Sequence, residues 1–220
     1  MSLERVLEPE VMDSSEEATD YNAMDHSQVN RAFVGDLLAA GGADGDYLDL
    51  GTGTALIPIE LCARQPCCRV MAVDMAVQML DLAVYNIEVE GLTDRIVLDR
   101  IDAKQLPYED EQFDVVMSNS IIHHIPEPYN VLEESIRVTK PRGLLFFRDL
   151  LRPADDVIVE QLVKTYAGDE NDHQRQMFED SLRAALSLEE IRTLIERLGY
   201  TQESVQATSD RHWTWSAQRT

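Results

Sequence analysis

The sequence predicts an α/β fold: a Rossmann-like, doubly wound sheet of seven mostly parallel strands that ends in an antiparallel C-terminal hairpin. Apolar runs alternate with amphipathic helical stretches over residues 46–151, and such alternation builds right-handed crossovers between parallel strands. The runs are almost continuously apolar, as in strands that helices cover on both faces. Residues 204–219 instead alternate apolar and polar side chains around a tight turn, which predicts the hairpin at one sheet edge.

The predicted elements follow one another in a regular order. An apolar stripe at helical spacing predicts a first helix over 23–40, and the glycine-rich segment 41–45 ends it. Pro58 and Pro128 are compatible with helices only in or near a first turn. Strands are predicted over 46–50, 68–75, 95–102, 112–120 and 143–151, and further helices over 55–64, 76–91, 127–138, 155–168, 172–186 and 187–200, ahead of the hairpin.

We expect a single domain, because 220 residues, 44% of them apolar, suffice for one sizeable core. Within it the sequence divides into an N-terminal arm and helix (1–44), a ligand-binding core (45–151), a helical insertion (152–199) and the C-terminal hairpin (200–220). The insertion is helical in pattern and has no strand signal, which separates it from the alternating core.

Charge and cysteine content limit the classes of partner. The formal charge is -22, from 41 acidic and 19 basic side chains, and such a surface repels nucleic acids and anionic lipid. No stretch has the length or apolarity of a membrane span or a secretion signal. Cys62, Cys67 and Cys68 form no disulfide framework and lack the spacing of paired zinc-binding cysteines. We therefore expect a cytoplasmic protein with no metal site, while nothing in the sequence predicts its oligomeric state.

The stretch "LDLGTGTA" places an acid and two glycines at the end of the first predicted strand. Ligands of doubly wound sheets bind beyond the carboxyl ends of the strands, and glycine there permits close approach of the backbone. Asp49, Asp74 and Asp102 end three successive strands, so three carboxylates are predicted along one rim. A tight turn without any ligand explains Gly51 and Gly53 equally, but it does not explain the row of acids.

These motifs together resemble the class I S-adenosylmethionine-dependent methyltransferases. "LDLGTGTA" resembles the first motif of that family, Asp74 its ribose-binding acid, and "IDAKQLPYEDEQFDVVMSNSIIHHI" its third and fourth motifs. The resemblance covers residues 45–151 and is nearest to the small-molecule group that includes quinone-biosynthesis C-methyltransferases. It implies methyl transfer from S-adenosylmethionine to a small or medium organic acceptor, with S-adenosylhomocysteine as product. Ala55 departs from the pattern, because it stands where the family has its third glycine.

The resemblance also implies which residues contact the cofactor. Gly51 and Gly53 would lie beside its methionine part, Asp74 would accept hydrogen bonds from both ribose hydroxyls, and Asp102 would accept one from the adenine amino group. Met75 would lie against the adenine ring, with ordinary core packing as the alternative. The predicted set is Asp49, Gly51, Thr52, Gly53, Asp74, Met75, Asp102, Ala103, Ser118 and Asn119.

Six further residues are candidates for acting on the acceptor. His123 and His124 follow the fourth strand, and either would serve as a base if the acceptor must lose a proton. Packing of one ring and exposure of the other is the alternative. Tyr21 and His26 lie in an arm predicted to cover the pocket. Asp149 and its neighbour Arg148 end the fifth strand; they would hold a polar group of the acceptor, or they would form a local salt bridge with each other.

Two alternative functions remain at this point. A protein of this fold that binds S-adenosylmethionine without catalysis would retain the same binding motifs. A nicotinamide-dependent oxidoreductase requires a glycine six positions into its fingerprint, where this chain has Leu56. A pyrophosphate is repelled by a rim of carboxylates, whereas a sulfonium cation is attracted, so the sequence favours the methyl donor over the dinucleotide.

Overall fold

The fold was obtained as a computed structural model that describes residues 3–9, 18–19, 22 and 27–220. The strands are β1 (Asp46–Leu50), β2 (Arg69–Asp74), β3 (Ile96–Arg100), β4 (Phe113–Asn119), β5 (Thr139–Leu150), β6 (Val205–Ala207) and β7 (His212–Gln218). The α-helices are α1 (Ser27–Ala39), α2 (Leu56–Arg64), α3 (Val77–Val89), α4 (Tyr129–Val138), α5 (Asp156–Tyr166), α6 (Asp172–Ala184) and α7 (Leu188–Arg197), and short 3-10 turns span Ile122–His124 and Gln202–Ser204.

The strands form one seven-stranded sheet in the order β3-β2-β1-β4-β5-β7-β6. β1 pairs in parallel with β2 on one side and with β4 on the other, so that Tyr47 lies opposite both Val70 and Val115. The chain therefore runs outward from β1 to β3 and then returns to the opposite side of β1, which places a topological switch point at the carboxyl ends of β1 and β4. The predicted Rossmann-like fold is confirmed.

The predicted hairpin is confirmed as well. β6 pairs antiparallel with β7, with Val205 opposite Trp215, and the two strands occupy one edge of the sheet. One strand differs from its prediction, because β5 begins at Thr139 rather than at residue 143. Pro141 and Gly143 disfavour strand structure, yet the Arg142 amide donates to the Arg219 carbonyl and the Arg219 amide donates to the Gly143 carbonyl. Pairing with the C-terminal end thus extends the strand through residues that disfavour it.

Local signals account for several helix ends. The side chains of Ser187 and Glu190 form the expected capping box at the start of α7, and each accepts a backbone hydrogen bond from the other residue. Pro58 lies in the first turn of α2, where its missing N–H removes no helical hydrogen bond. Gly91 ends α3 with φ of 66° and Gly199 follows α7 with φ of 88°, both in the left-handed region.

The chain divides into two compact units. The larger unit comprises residues 11–119, 128–147 and 216–220, and the smaller unit comprises residues 1–10, 120–127 and 148–215. In the larger unit, α1 buries its predicted apolar stripe, and the ring of Phe33 packs edge-to-face on Phe146 with centroids 5.2 Å apart. The boundaries drawn from sequence within a single domain stay a prediction.

The core of the smaller unit is rich in aromatic side chains. Trp213 and Trp215 are fully buried, and Tyr200 packs edge-to-face on Trp215 at a centroid distance of 5.4 Å. A second apolar cluster in this unit joins the end of β5 to α5 and α6 through Leu150, Leu162 and Leu182. Among the described residues, no helix combines the length and apolarity that crossing a bilayer requires.

Candidate functional site

The turn after β1 lies at the switch point and is held to β2 by backbone hydrogen bonds. The amides of Gly51 and Thr52 both donate to the Val73 carbonyl at 2.9 Å. Gly51 and Gly53 have φ of 70° and 54°, in the left-handed region that glycine adopts without strain. Ala55, at the third position of the motif, also has a left-handed φ, of 61°. The departure from glycine thus falls on a residue whose backbone favours glycine.

Asp74 ends β2 with its carboxylate fixed by two amides. The Gly53 amide donates to Oδ2 at 2.8 Å, and the Ala76 amide donates to Oδ1 at 2.9 Å. A carboxylate oxygen can accept more than one hydrogen bond. This arrangement fits the two hydroxyls of a ribose, which is the role that the resemblance implied for Asp74.

Asp49 is a buried carboxyl group in β1, one residue before the end of that strand. Its side chain is 2% exposed, and burial raises its pKa to about 7, with the nearby Asp74 carboxylate adding to the shift. Desolvation disfavours the charged form of an acid, and an adjacent cation reverses this effect. A ligand ammonium placed against Asp49 would therefore gain an anionic partner and would lower the pKa of that carboxyl.

A small crevice opens beside this turn. Thr54 lines it, and the buried Thr54 hydroxyl has no hydrogen-bond partner within the part of the chain that the structure describes. A buried hydroxyl without a partner is unfavourable, so the crevice favours a polar ligand over an apolar one. The lining residues are Asn30, Asp49, Gly51, Thr52, Thr54, Leu56, Ile57 and Asn119.

The crevice includes four residues of the predicted cofactor set: Asp49, Gly51, Thr52 and Asn119. The prediction missed Thr54, although it lies inside the quoted glycine motif, where its small polar side chain was a usable signal. It also missed Asn30, which α1 brings from outside the strand–turn–helix unit and for which the local sequence offers no signal.

The rest of the predicted set lies outside the lining of this crevice. Asp102 follows β3 by two residues, and its Oδ1 accepts from the Lys104 amide at 2.9 Å. Met75 directly follows β2 and is half-buried. Ala103 lies three residues after the end of β3 and is buried. Ser118 is buried and its hydroxyl donates to the Leu50 carbonyl at 2.9 Å, a contact that ties β4 to β1. The cofactor roles of these residues stay predictions.

The smaller unit contains a separate polar cluster around the turn Ile122–His124. His123 Nδ1 lies 2.6 Å from Asp149 Oδ1, and the Ile122 amide donates to Asp149 Oδ2 at 2.6 Å. Burial alone opposes charge on both groups, yet their mutual attraction raises the pKa of His123 and lowers the pKa of Asp149. The two side chains thus form a buried ion pair.

This geometry bears on the residues predicted to act on the acceptor. Asp149 forms an ion pair with His123, whereas the salt bridge considered from the sequence was a local one with Arg148. His123 is 3% exposed, and its Nε2 faces the Glu8 carboxylate at 3.4 Å. Burial lowers the pKa of His124 to about 3, so its ring is neutral. Tyr21 and His26 lie outside the described residues, and all these acceptor roles stay predictions.

Comparison with known proteins shows which families this chain is similar to. Residues 48–147 match the family model described as a methyltransferase domain. The chain is 30% identical over 185 residues to 27-O-demethylrifamycin SV methyltransferase of Amycolatopsis mediterranei, covering 78% of this chain and 64% of that relative. It is 35% identical over 116 residues to a demethylmenaquinone methyltransferase of Lactobacillus johnsonii, covering 52% and 48%. The chain thus spans less than two thirds of the length of these relatives.

The fold is shared with solved structures at lower identity. A S-adenosylmethionine-dependent methyltransferase from Aquifex aeolicus superposes with a TM-score of 0.68 at 18% identity, covering 94% of this chain and 99% of that one. At this identity the likeness shows the fold alone. The matched domain, the glycine turn at the switch point and the sheet order agree with the resemblance drawn from the sequence. The chain carries a methyltransferase-domain match over residues 48–147 and is similar to S-adenosylmethionine-dependent methyltransferases, among them an enzyme that acts on demethylmenaquinone.

Proposed function

We propose that this protein transfers the methyl group of S-adenosylmethionine to a small organic acceptor. The observation that carries the proposal is Asp49, a buried carboxyl with a raised pKa beside an open glycine turn at the switch point. A buried acid of this kind is suited to a cationic ligand. The methyltransferase domain match spans Asp49, the turn and Asp74.

The residues of the crevice fit the cofactor in charge and hydrogen bonding. Asp49 and the carbonyls near Gly51 would hold the ammonium of the methionine part, and the Thr54 hydroxyl offers one further polar contact. Asp74 would bind the ribose hydroxyls with a carboxylate that the Gly53 and Ala76 amides already fix. Since these hydrogen bonds exist before the ligand arrives, little side-chain freedom is lost on binding.

Catalysis in this proposal is mainly alignment. When bound, S-adenosylmethionine supplies a methyl group that its sulfonium already activates, so positioning is the principal task of the protein. A general base requires a free nitrogen within reach of the acceptor. His123 is buried between the carboxylates of Asp149 and Glu8, and this geometry lends no support to proton abstraction by that ring. We therefore assign the transfer to alignment within the crevice.

Charge and relatives favour a small acceptor. The formal charge of -22 opposes nucleic-acid substrates. The relatives named above are methyltransferases for 27-O-demethylrifamycin SV and demethylmenaquinone, both of them low-molecular-weight compounds. The proposal places the reaction in the cytoplasm, and it is supported there by the free thiols of Cys62 and Cys68, whose sulfurs lie 3.7 Å apart.

Calorimetric titration with S-adenosylmethionine and S-adenosylhomocysteine tests the proposal. Asp74→Asn is expected to weaken both ligands about tenfold or more, because it removes the anion that accepts from ribose. Asp99→Asn is the matched control, since it removes an exposed carboxylate of β3 to which no cofactor contact is assigned. Equal affinities in the wild type and Asp74→Asn, or tighter binding of a nicotinamide dinucleotide, would contradict the proposal. Release of S-adenosylhomocysteine with a pool of small-molecule acceptors separates an enzyme from a binding protein.

A further inference from the structure

Three side chains of the smaller unit direct ligand-type atoms at one point. Glu8 Oε1 lies 3.4 Å from His123 Nε2 and 3.2 Å from His124 Nδ1. The three atoms all lie within 4.8 Å of one another. Around a four-coordinate zinc ion, with bonds of about 2.0–2.1 Å, neighbouring ligand atoms are separated by about 3.3 Å. The distances from Glu8 Oε1 to the two histidine nitrogens match this spacing between neighbouring zinc ligands.

Hydrogen bonding inside the cluster is incomplete. Glu8 Oε1 and His124 Nδ1 are both buried, and neither has a hydrogen-bond partner among the described residues. The His124 ring hydrogen-bonds the Pro9 carbonyl, which commits its other nitrogen as the donor. Nδ1 of His124 therefore presents a lone pair to a carboxylate oxygen that also carries lone pairs. Two acceptors in contact repel each other unless a cation lies between them.

Each of the three side chains is oriented by a second group, as in known metal sites. Asp149 accepts from Nδ1 of His123 and so leaves Nε2 to face the cluster. The Ser181 hydroxyl donates to Oε2 of Glu8 at 3.3 Å, which leaves Oε1 to face the two rings. Ligating histidines almost always donate their other ring N–H to a carboxylate or carbonyl in this way. Asp149 and the Pro9 carbonyl supply those two partners.

The geometry points to a divalent transition-metal site, of the type that takes Zn²⁺, formed by Glu8, His123 and His124. Two imidazoles and one carboxylate are a ligand set that zinc accepts, with a fourth position left to water. Binding would displace the proton on His123 Nε2 and leave the Nδ1–H with Asp149. The ion would tie the segment 3–9 to the turn Ile122–His124. This inference is independent of the methyl-transfer proposal.

The site departs from the expectation drawn from the sequence, which predicted no metal site because paired cysteines are absent. Two of the ligands are adjacent, but Glu8 lies in a segment with no motif of its own. A search by ligand spacing therefore does not find the set. The fold brings these three residues together.

Zinc titration of the metal-stripped, untagged full chain against a chromogenic chelator tests the inference. The wild type is expected to bind one equivalent of Zn²⁺, and saturating Zn²⁺ is expected to raise its Tm. Glu8→Gln and His124→Gln keep side-chain size and are expected to weaken binding about a hundredfold and to remove the Tm increase. Glu4→Gln and His173→Gln change an exposed carboxylate and an exposed imidazole of the same unit and should leave both readouts unchanged.

The outcomes are decisive in both directions. If the wild type binds no stoichiometric Zn²⁺ and shows no Tm increase, the cluster holds only a proton and the inference is wrong. It is equally wrong if the two control variants lose as much affinity as Glu8→Gln. Should Glu8→Gln fail to fold, His124→Gln carries the test, because the ring it replaces is partly exposed. Cofactor titration of the same samples reports on the larger unit separately.

Discussion

Asp149 and His123 form a buried ion pair with 2.6 Å between Oδ1 and Nδ1. The side chain of Asp149 is 1% exposed and that of His123 is 4% exposed. Three N–H groups, from His123 and from the amides of Ile122 and Leu150, supply donors to the same carboxylate. These three hydrogen bonds stabilise the ionised form of the buried Asp149 carboxylate, because a buried charge without partners is strongly unfavourable.

Asp149→Asn is expected to destabilise the protein by about 3–5 kcal/mol, because it removes the nearer of the two carboxylates that face the buried His123 ring. Urea unfolding of the metal-stripped protein measures the loss. Asp172→Asn is the control, since it breaks an exposed pair with Arg175 and should cost less than about 1 kcal/mol. If the two variants lose similar stability, the pair at Asp149 is no stronger than a surface contact.

Asp49→Asn is expected to increase stability and reduce cofactor affinity together. In the unfolded chain this carboxyl ionises near its ordinary pKa of 3.8, and in the fold near 7. Folding thus favours the protonated form, and stability falls as the pH rises from about 4 to 7. At pH 8 the neutral amide removes a penalty of about 4 kcal/mol, from about three pKa units at about 1.36 kcal/mol each. Urea unfolding at pH 8 and titration with S-adenosylmethionine measure the two effects, and a loss of both stability and affinity would count against this role.

Cofactor affinity is expected to depend on pH for the same reason. A ligand ammonium prefers the ionised Asp49, so S-adenosylmethionine should bind more tightly as the pH rises from 5.5 to 7. This range lies below the ordinary α-amino pKa of about 8, so the ligand stays charged throughout. Calorimetry across the range should give a slope in the wild type and none in Asp49→Asn. A slope of the same size in both proteins would assign the titration to another group.

Ala55→Gly tests the strain in the turn after β1. Relief of the left-handed backbone contributes about 1–2 kcal/mol, which offsets the lost methyl group and the greater freedom of glycine when unfolded. The stability is therefore expected to change by less than about 1 kcal/mol. Ala83→Gly is the matched control, because Ala83 is equally buried but sits inside α3, where the change should cost about 2 kcal/mol. Equal losses in urea unfolding would show that Ala55 carries no strain.

Much of the fold followed from the sequence because its signals are local. The capping box at Ser187 and Glu190 spans four residues, and the alternation of strands and helices fixes the parallel core through the handedness of its crossovers. The start of β5 was not predicted, because it depends on a contact between residues that are far apart in the sequence. Whether Pro141 and Gly143 end a strand depends on the Arg219 backbone, which lies at the far end of the chain.

The candidate sites also contain both residues that a local sequence pattern predicts and residues that only the fold brings together. The glycine turn and Asp74 could be predicted, since a strand end, two glycines and an acid form a short pattern. The pairing of His123 with Asp149 could not, because 26 positions separate them and the partner is chosen by strand order. Arg5 carried no signal at all, yet it contacts the turn that holds His123, 118 positions away.

Arg5 fastens the N-terminal segment through backbone carbonyls rather than through an acid. Its guanidinium donates to four of them, those of Ala184 at 2.6 Å, Ile125 at 3.0 Å, and His123 and Pro126 at 3.1 Å. Burial is the main cause that lowers the pKa of this guanidinium. One planar fork with five N–H donors can donate to several separated acceptors at once.

Arg5→Lys is expected to loosen the segment almost as much as Arg5→Ala, because a lysine ammonium has three donors at one point and cannot reach four separated carbonyls. The readout is hydrogen exchange at the Val6 amide, which donates to the Arg183 carbonyl at 3.1 Å. Exchange should accelerate about tenfold or more in both variants, which corresponds to a loss of about 1.4 kcal/mol in local stability. Glu4→Ala, at the exposed neighbour, should leave the rate unchanged. Wild-type protection in Arg5→Lys would mean that positive charge, rather than the shape of the guanidinium, fastens the segment.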